Sequence, residues 1–172
     1  MNNMECKIEL EKKYLIEYPE LNLIMKKYNV IKYEIEQIYL LSDSGSRRIR
    51  MRREGDKTAY IETVKIRING SKSYEYEREL TADEYESLKA EADPERSPIY
   101  KDRYVFPYKN KVMELDVYPF WEDKAVLEIE LESEEDKYFI PEEIKVIADV
   151  SDDPKYKNAA LAKSRQQIAG SR

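Results

Sequence analysis

Charged residues recur at every second position in several separate stretches of this chain, where a sheet protein usually places apolar side chains. Residues i, i+2 and i+4 of an extended strand share one face, so each stretch gives a strand one charged face. The stretches are Glu9, Glu11 and Lys13; Arg48, Arg50 and Arg52; Lys65 and Arg67; Glu75, Glu77 and Glu79; Lys101 and Arg103; Glu114 and Asp116; and Glu128, Glu130 and Glu132. Their number predicts a shared polar interior.

Eight strand-like segments are found, near 5–14, 33–41, 46–53, 58–68, 73–80, 99–108, 111–118 and 125–133. Short connections with Gly or Asn at 43–45, 54–57, 69–71 and 109–110 predict antiparallel neighbours. Apolar residues such as Ile49, Leu115 and Leu127 occupy the alternate positions and predict an apolar outer wall. We expect a mainly β (α+β) fold, a closed eight-stranded antiparallel β-barrel tunnel with a charged lumen and flanking helices.

The longer gaps predict four helices. They cover residues 19–29, a segment that starts after Thr81 and ends before Pro94, a segment from Pro141 towards Ala148, and a segment from Pro154 to about Lys163. The chain has no internal repeat and no long linker. We therefore expect residues 1–165 to form a single tunnel-barrel domain, followed by a frayed C-terminal tail at 166–172.

The composition argues against several classes of protein. The chain of 172 residues has no His, which excludes a Ser-His-Asp device and a His-ligated zinc site. Any metal would be held by carboxylates, which favours Mg²⁺ or Mn²⁺. The net charge of −6 argues against a nucleic-acid partner. The absence of a long apolar run or apolar leader, with Cys6 as the single cysteine, predicts a cytoplasmic protein without a membrane partner. Both a monomer and a homodimer remain open.

So many charges in one interior require a ligand or water. A dry core would cost several kcal/mol for each buried ion, even when the ions are paired. We expect the basic strands to hold a polyanion and the carboxylates of the first and last strands to hold divalent cations that bridge to its phosphates. A single alternating strand is most often the solvated face of a half-buried sheet, but the joint occurrence of these stretches favours a shared site. Glu34 and Glu36 are left out, because Ile38 and Leu40 break their pattern.

In their order along the chain, these motifs resemble those of the CYTH superfamily, the triphosphate tunnel metalloenzymes. Glu9-Leu10-Glu11-Lys12-Lys13 resembles its ExExK signature. The other matching segments are Arg48-Ile49-Arg50, Thr63-Val64-Lys65, Tyr74-Glu75-Tyr76-Glu77, Lys101-Asp102-Arg103-Tyr104, Glu114-Leu115-Asp116 and Leu127-Glu128-Ile129-Glu130-Leu131-Glu132-Ser133. The resemblance extends over roughly residues 5–160.

The resemblance implies a role for each matching residue. The implied metal ligands are Glu9, Glu11, Asp116, Glu128, Glu130 and Glu132. The implied phosphate-binding residues are Lys13, Arg48, Arg50, Lys65, Lys101 and Arg103. Glu75 and Glu77 would orient the basic residues or water, and the expected catalytic residues are Glu11, Lys101, Glu77 and Glu130. Lys155 lies in a segment resembling the one that leads into the family's C-terminal helix, and is expected to reach the phosphates.

The resemblance also implies an activity, the hydrolysis of triphosphate-containing substrates with Mg²⁺ or Mn²⁺ by phosphoryl transfer to water. No segment is assignable to adenine or thiamine recognition, which favours inorganic triphosphate. The alternatives are a class IV type adenylyl cyclase, a thiamine or nucleoside triphosphatase, a non-catalytic polyphosphate or nucleotide sensor, and a protein-interaction barrel. Carboxylates on both the first and last strands argue against a sensor, since a pure anion binder gains little from them.

Overall fold

The computed structural model describes residues 4–162, which are built around one sheet. Its strands are β1 (Glu5–Glu17), β2 (Ile31–Leu40), β3 (Ser46–Glu54), β4 (Lys57–Arg67), β5 (Lys72–Leu80), β6 (Ile99–Tyr108), β7 (Lys111–Val117), β8 (Lys124–Glu130) and β9 (Val146–Asp149). The order in the sheet is β5-β4-β3-β2-β6-β7-β8-β1-β9, and β5 also pairs with β1. This last pairing closes a ring of eight antiparallel strands. The predicted barrel is confirmed, with one additional strand outside the ring.

Tight turns join four of the eight neighbouring strand pairs in the ring, as their composition predicts. Lys109 and Asn110 have φ values of 45° and 65°, so both central residues of the β6–β7 turn are left-handed, as in a two-residue hairpin. Gly45 precedes β3 with φ +67°, and a Cβ there would lie 2.4 Å from the carbonyl oxygen of Lys65. Glycine is therefore required at this point, where the β2–β3 connection passes close to β4.

The main apolar core lies outside the barrel wall. Met113, Leu115, Leu127 and Ile129 are fully buried and pack with Ile24 of helix α1 (Leu21–Lys27). Helix α2 (Ala82–Leu88) covers another part of the wall, where Tyr85 packs on Ile38, Leu40, Ile49 and Leu80. Thr81 caps α2 by accepting a hydrogen bond from the Glu84 backbone N–H, which confirms the predicted start of that helix. The barrel is thus apolar outside and charged inside.

The predicted helix from Pro141 towards Ala148 is wrong, since this segment ends in strand β9. Strand β1 has 13 residues, and β5 pairs with only its first half. β9 pairs with Tyr14, Leu15 and Ile16 on the side that β5 leaves free. Backbone groups of β1 that would otherwise be an unpaired edge are satisfied in this way, and the branched pair Val146 and Ile147 favours an extended chain.

Other predicted boundaries differ in length. The first helix is α1, shorter than 19–29, and β8 stops at Glu130 rather than at 133. The last predicted helix is divided into a 3₁₀ turn at Pro154–Tyr156 and a helical stretch over 158–162. The predicted tail at 166–172 lies outside the described residues. In the part of the chain that is described, no helix has both the length and the apolar character of a membrane span.

Candidate active site

The interior of the barrel holds a tunnel-shaped cavity of about 350 Å³. Alternation along each strand turns every second side chain into it. Of the residues expected at the site, the cavity is lined by Glu9, Glu11, Lys13, Arg48, Arg50, Lys65, Glu75, Glu77, Arg103, Glu128 and Glu130. Glu114, which belongs to one of the charged stretches, lines it too. The structure therefore brings residues that are far apart in the sequence into one cavity.

Three residues of the predicted site do not line this cavity. Lys101 and Asp116 are buried against each other, with the lysine Nζ donating to the carboxylate at 2.8 Å. Burial lowers the pKa of Lys101 to about 7, although the charge of Asp116 opposes this shift. Glu132 lies beyond the end of β8, where it is exposed and its backbone N–H donates to Asp136.

Carboxylates from three adjacent strands form what we call the acidic wall, composed of Glu9 and Glu11 on β1, Glu114 on β7, and Glu128 and Glu130 on β8. The β1–β8 register pairs Glu11 with Glu130 and Lys13 with Glu128. Glu11 also shares hydrogen bonds with Glu9 and Glu128. The wall therefore places several carboxylates within contact distance, which is stable only when a cation or a proton lies among them.

The pKa of Glu11 is shifted in the opposite direction from the pKa values of its neighbours Glu9 and Glu128. Burial and the charges of Glu128 and Glu9 raise the pKa of Glu11 well above its ordinary value. Burial also acts to raise the pKa of Glu128, but Lys13 and Arg103 draw it well below the usual range. For Glu9, the effect of burial is exceeded by Lys65 and by the hydrogen bond from Glu11, so its pKa is lowered. The surroundings thus favour the neutral form of Glu11 and the ionised forms of Glu9 and Glu128.

Carboxylate oxygens of this kind suit a hard divalent cation, which would take the place of a proton on Glu11. Among residues 4–162, no three carboxylates converge into a ready-made metal site. Mg²⁺ and Mn²⁺ are commonly held by one or two carboxylates, with substrate oxygens and water completing the shell. The residues present therefore fit an ion that binds together with a phosphate ligand.

Arg103 and Lys13, two of the predicted phosphate-binding residues, already have carboxylate partners, as do Lys101 with Asp116 and Lys65 with Glu9. Arg103 donates to both oxygens of Asp116 at 2.7 and 2.9 Å and also contacts Glu114. Lys13 lies 3.1 Å from Glu128 and donates to the backbone oxygen of Tyr156 at 3.2 Å. In this arrangement both cations hold the acidic wall in position.

By contrast, the three arginines that β3 turns into the lumen form no salt bridge with a carboxylate among residues 4–162. We define the basic wall as Arg48, Arg50 and Arg52 on β3 with Lys65 on β4. The buried Nε of Arg48 has no hydrogen-bond partner within the described part of the chain. Burial, with repulsion from Arg48 and Arg103, lowers the pKa of Arg50 to about 9, which leaves it charged at neutral pH. This wall is suited to an anionic ligand.

Charge counting misses the inward face of β2, because it has no ionised residue: Tyr33, Ile35 and Tyr39 line the cavity, and Gln37 shares their face by alternation. Gln37 is fully buried; it accepts two hydrogen bonds from Arg50 and donates to the Tyr39 hydroxyl at 2.7 Å. In the ring of eight strands β2 lies opposite β1, so this uncharged face lies across the tunnel from Glu9 and Glu11. The alternation of Tyr33, Ile35, Gln37 and Tyr39 in the sequence was the signal from which this face could have been predicted.

Residues 150–162 cross the end of the tunnel at which β1 finishes, and here Lys157 rather than Lys155 faces the lumen. The expected role of Lys155 is wrong, because the 3₁₀ turn leaves it exposed, with its backbone N–H bonded to Asp153. The Lys157 Nζ donates to the backbone oxygens of Gly70 and Ser151 at 3.0 and 2.8 Å. Burial, with repulsion from Arg67 and Lys13, lowers the pKa of Lys157 to about 8.

Solved structures share this barrel. No protein-family model and no curated protein matches the chain. Two crystal structures of NE1496, described in one case as a hypothetical protein and in the other as an inorganic triphosphatase, are 26% and 25% identical to it. Each covers 90% of this chain, over 97% and 94% of its own length, with a TM-score of 0.56. PH1819 from Pyrococcus horikoshii OT3, at 19% identity over 74% of this chain and 80% of its own, has a TM-score of 0.57 and supports the fold alone. This barrel and the ordered motifs that line it are consistent with the CYTH, or triphosphate tunnel metalloenzyme, superfamily.

Proposed function

We propose that the chain is a divalent-metal-dependent triphosphatase that acts on inorganic triphosphate and transfers a phosphoryl group to water. The observation that carries this proposal is that one closed barrel is lined both by a carboxylate-rich acidic wall and by a basic wall whose three β3 arginines form no salt bridge among residues 4–162. A pure anion site gains nothing from the acidic wall, and a pure cation site gains nothing from the basic one. A triphosphate bound together with a divalent cation uses both.

In the proposed complex the basic wall binds the phosphate oxygens. Arg48 and Arg50 are the first contacts, since among residues 4–162 the Nε of Arg48 has no hydrogen-bond partner and the side chain of Arg50 donates to the uncharged amide of Gln37. Guanidinium groups bind phosphate oxygens in a bidentate way, and Lys65 and Lys157 add point charge. Lys65 contacts a carboxylate and Lys157 donates to backbone carbonyls. Both amines can therefore turn to a stronger anionic partner.

Glu9, Glu11, Glu128 and Glu130 are the residues proposed to hold Mg²⁺ or Mn²⁺. When bound, such an ion neutralises phosphate charge and lowers the pKa of coordinated water. Asp116, which the sequence placed among the ligands, has the different proposed task of holding Arg103 in position. Lys101 fixes Asp116 in turn, and is therefore a positioning residue in this proposal.

The proposed reaction needs no covalent intermediate. The water oxygen forms a bond to phosphorus while the bridging P–O bond breaks, which yields orthophosphate and pyrophosphate. A lumen carboxylate accepts the proton of the attacking water, and Glu77 and Glu130 are the candidates for this role. Glu75, whose Oε2 is buried without a hydrogen-bond partner in the described chain, is placed to orient Lys65, 4.0 Å away.

The substitution Glu11→Gln tests the proposed role of the acidic wall. Because burial and the charges of Glu128 and Glu9 favour the neutral form of Glu11, the neutral amide should preserve the fold and the melting temperature. It should abolish metal-dependent release of phosphate from triphosphate, by about a hundredfold or more. Glu34→Gln, on the outer face of β2 beside Arg53, is the matched control and should be fully active. A fully active Glu11→Gln enzyme across a Mg²⁺ and Mn²⁺ titration would overturn the assignment.

A further inference from the structure

Within residues 4–162, a segment from outside the barrel crosses the tunnel at one end and none crosses it at the other. Lys157, Asn158 and Ala159 line the end that residues 150–162 cross. At the opposite end, where β1 begins, the lining consists of strand residues alone, among them Tyr33 on β2 and Arg52 on β3. A phosphate chain bound along the basic wall therefore has one end near residues 150–162 and its other end directed towards this opposite end, the mouth.

Arg52 is positioned at the mouth by an aromatic ring rather than by a carboxylate. Its guanidinium carbon lies 4.8 Å from the ring centroid of Tyr33. A cation at this distance is attracted to the ring face, which also fixes the plane of the guanidinium. Within residues 4–162 Arg52 has no salt bridge, whereas its neighbour Arg53 points outward and pairs with Glu34 at 3.2 Å. Arg52 keeps its donors for a ligand.

The spacing places Arg52 at the outer end of that ligand. Arg48, Arg50 and Arg52 follow one another on the same face of β3, and successive members are about 7 Å apart along the strand. Arg48 and Arg50 face the middle of the acidic wall, and Arg52 stands one such step closer to the mouth. A group bound at Arg52 is therefore the outward end of the chain.

We propose that Arg52 determines substrate specificity by binding the outward terminal phosphate, and that Tyr33 is its positioning residue. This inference rests on the proposed triphosphatase function. An unsubstituted terminal phosphate has more negative charge and more free oxygens than a phosphate esterified to a nucleoside, so a bidentate guanidinium binds it more strongly. An ester group at this position would also displace Arg52 from the ring. A site built for polar contacts discriminates well against a ligand that leaves them unmade.

The test compares kcat/KM for inorganic triphosphate and for ATP in Arg52→Ala. We expect about a tenfold or larger loss for triphosphate and less than about a threefold change for ATP. Arg53→Ala is the matched control: it removes the same charge from the next residue of the strand, on the outer face, and should leave both values unchanged. Tyr33→Phe keeps the ring and should resemble the wild type, whereas Tyr33→Leu should shift the ratio in the direction of Arg52→Ala.

The outcomes separate this inference from the function on which it rests. A wild type that is inactive on triphosphate would contradict the triphosphatase function, and calorimetric Kd values for triphosphate and ATP would still test the same ratio in Arg52→Ala. An active wild type whose Arg52→Ala variant loses both substrates equally would overturn the specificity role alone, since a general loss of positive charge has no preference. The specificity role of Arg52 would also be overturned if Arg53→Ala shifted the ratio of kcat/KM for triphosphate and ATP in the same way.

Discussion

Arg50 and Gln37 are paired across β3 and β2, with the Nε and Nη2 of the arginine donating to the same amide oxygen at 3.0 and 2.7 Å. The pairing fixes the guanidinium without neutralising it, because the partner is uncharged. Arg103 has the opposite arrangement, with Asp116, Glu114 and Glu128 as its partners. The tunnel thus contains one arginine prepared for an anion and another that organises carboxylates.

Gln37→Glu should convert Arg50 from an arginine that is prepared for an anion into one that is paired with a carboxylate. The substitution is nearly isosteric and places a carboxylate at the two hydrogen bonds of Arg50, which should raise the pKa of Arg50 and neutralise its charge. We expect triphosphate to bind about tenfold more weakly, with no loss of melting temperature. Calorimetric titration of both proteins with triphosphate measures this. An unchanged Kd would mean that Arg50 does not contact the ligand.

Triphosphate binding should weaken at alkaline pH through Lys157. The lowered pKa of about 8 means that this amine is charged below that value and neutral above it, so an anion loses a cationic partner as the pH rises. Between pH 7 and 9 we expect the Kd to rise about tenfold, the effect of removing one required proton. Lys157→Met should bind weakly at both values, without this dependence.

Lys155→Met is the matched control for that series, since Lys155 is exposed two residues away. It should retain the pH dependence of the wild type. A wild-type Kd that is flat over this range, or a Lys157→Met variant that keeps the slope, would assign the effect to another group.

Lys101 and Asp116, the buried pair behind the cavity, should contribute unequally to the free energy of unfolding. Asp116→Asn leaves buried Lys101 without its carboxylate partner and removes one of the three carboxylates that Arg103 contacts, and we expect a loss of about 3–5 kcal/mol in the free energy of unfolding. Lys101→Met leaves Asp116 with Arg103 and removes an amine whose pKa is already lowered to about 7, so the loss should be smaller, about 1–2 kcal/mol. Urea denaturation measures both, and the reverse order would contradict the proposed arrangement.

Substitutions of Glu130 and of Glu132 should have very different effects on kcat, although both residues belong to one alternating stretch of the sequence. Glu130 ends β8 and lines the cavity, whereas Glu132 follows the strand and is exposed. Glu130→Gln should lower kcat for triphosphate by about a hundredfold as a proposed metal ligand, and Glu132→Gln by less than about twofold. Comparable losses in both variants would place Glu132 at the site after all.

The alternation of charge made the barrel and most of its lining predictable, because only one face of each strand can point inward. It said nothing about where strands end, so Glu132 was included, and nothing about uncharged lumen residues such as Gln37. The error at Pro141 to Ala148 has a tertiary cause, since β9 forms to cover an edge of β1 that local sequence does not reveal. The phosphate-binding role was expected of Lys155 instead of Lys157. Which of these two lysines faces the lumen depends on the 3₁₀ turn at Pro154–Tyr156.

The most direct test of the central claim is phosphate release by the wild type from inorganic triphosphate, ATP and thiamine triphosphate, each with Mg²⁺, Mn²⁺ or EDTA. We predict rapid release from inorganic triphosphate that requires the divalent ion, with much slower release from the two organic triphosphates. Cyclic AMP formation from ATP, followed in the same samples, would identify a cyclase instead. Tight triphosphate binding without release from any substrate would contradict the triphosphatase account and leave the tunnel as a binding site.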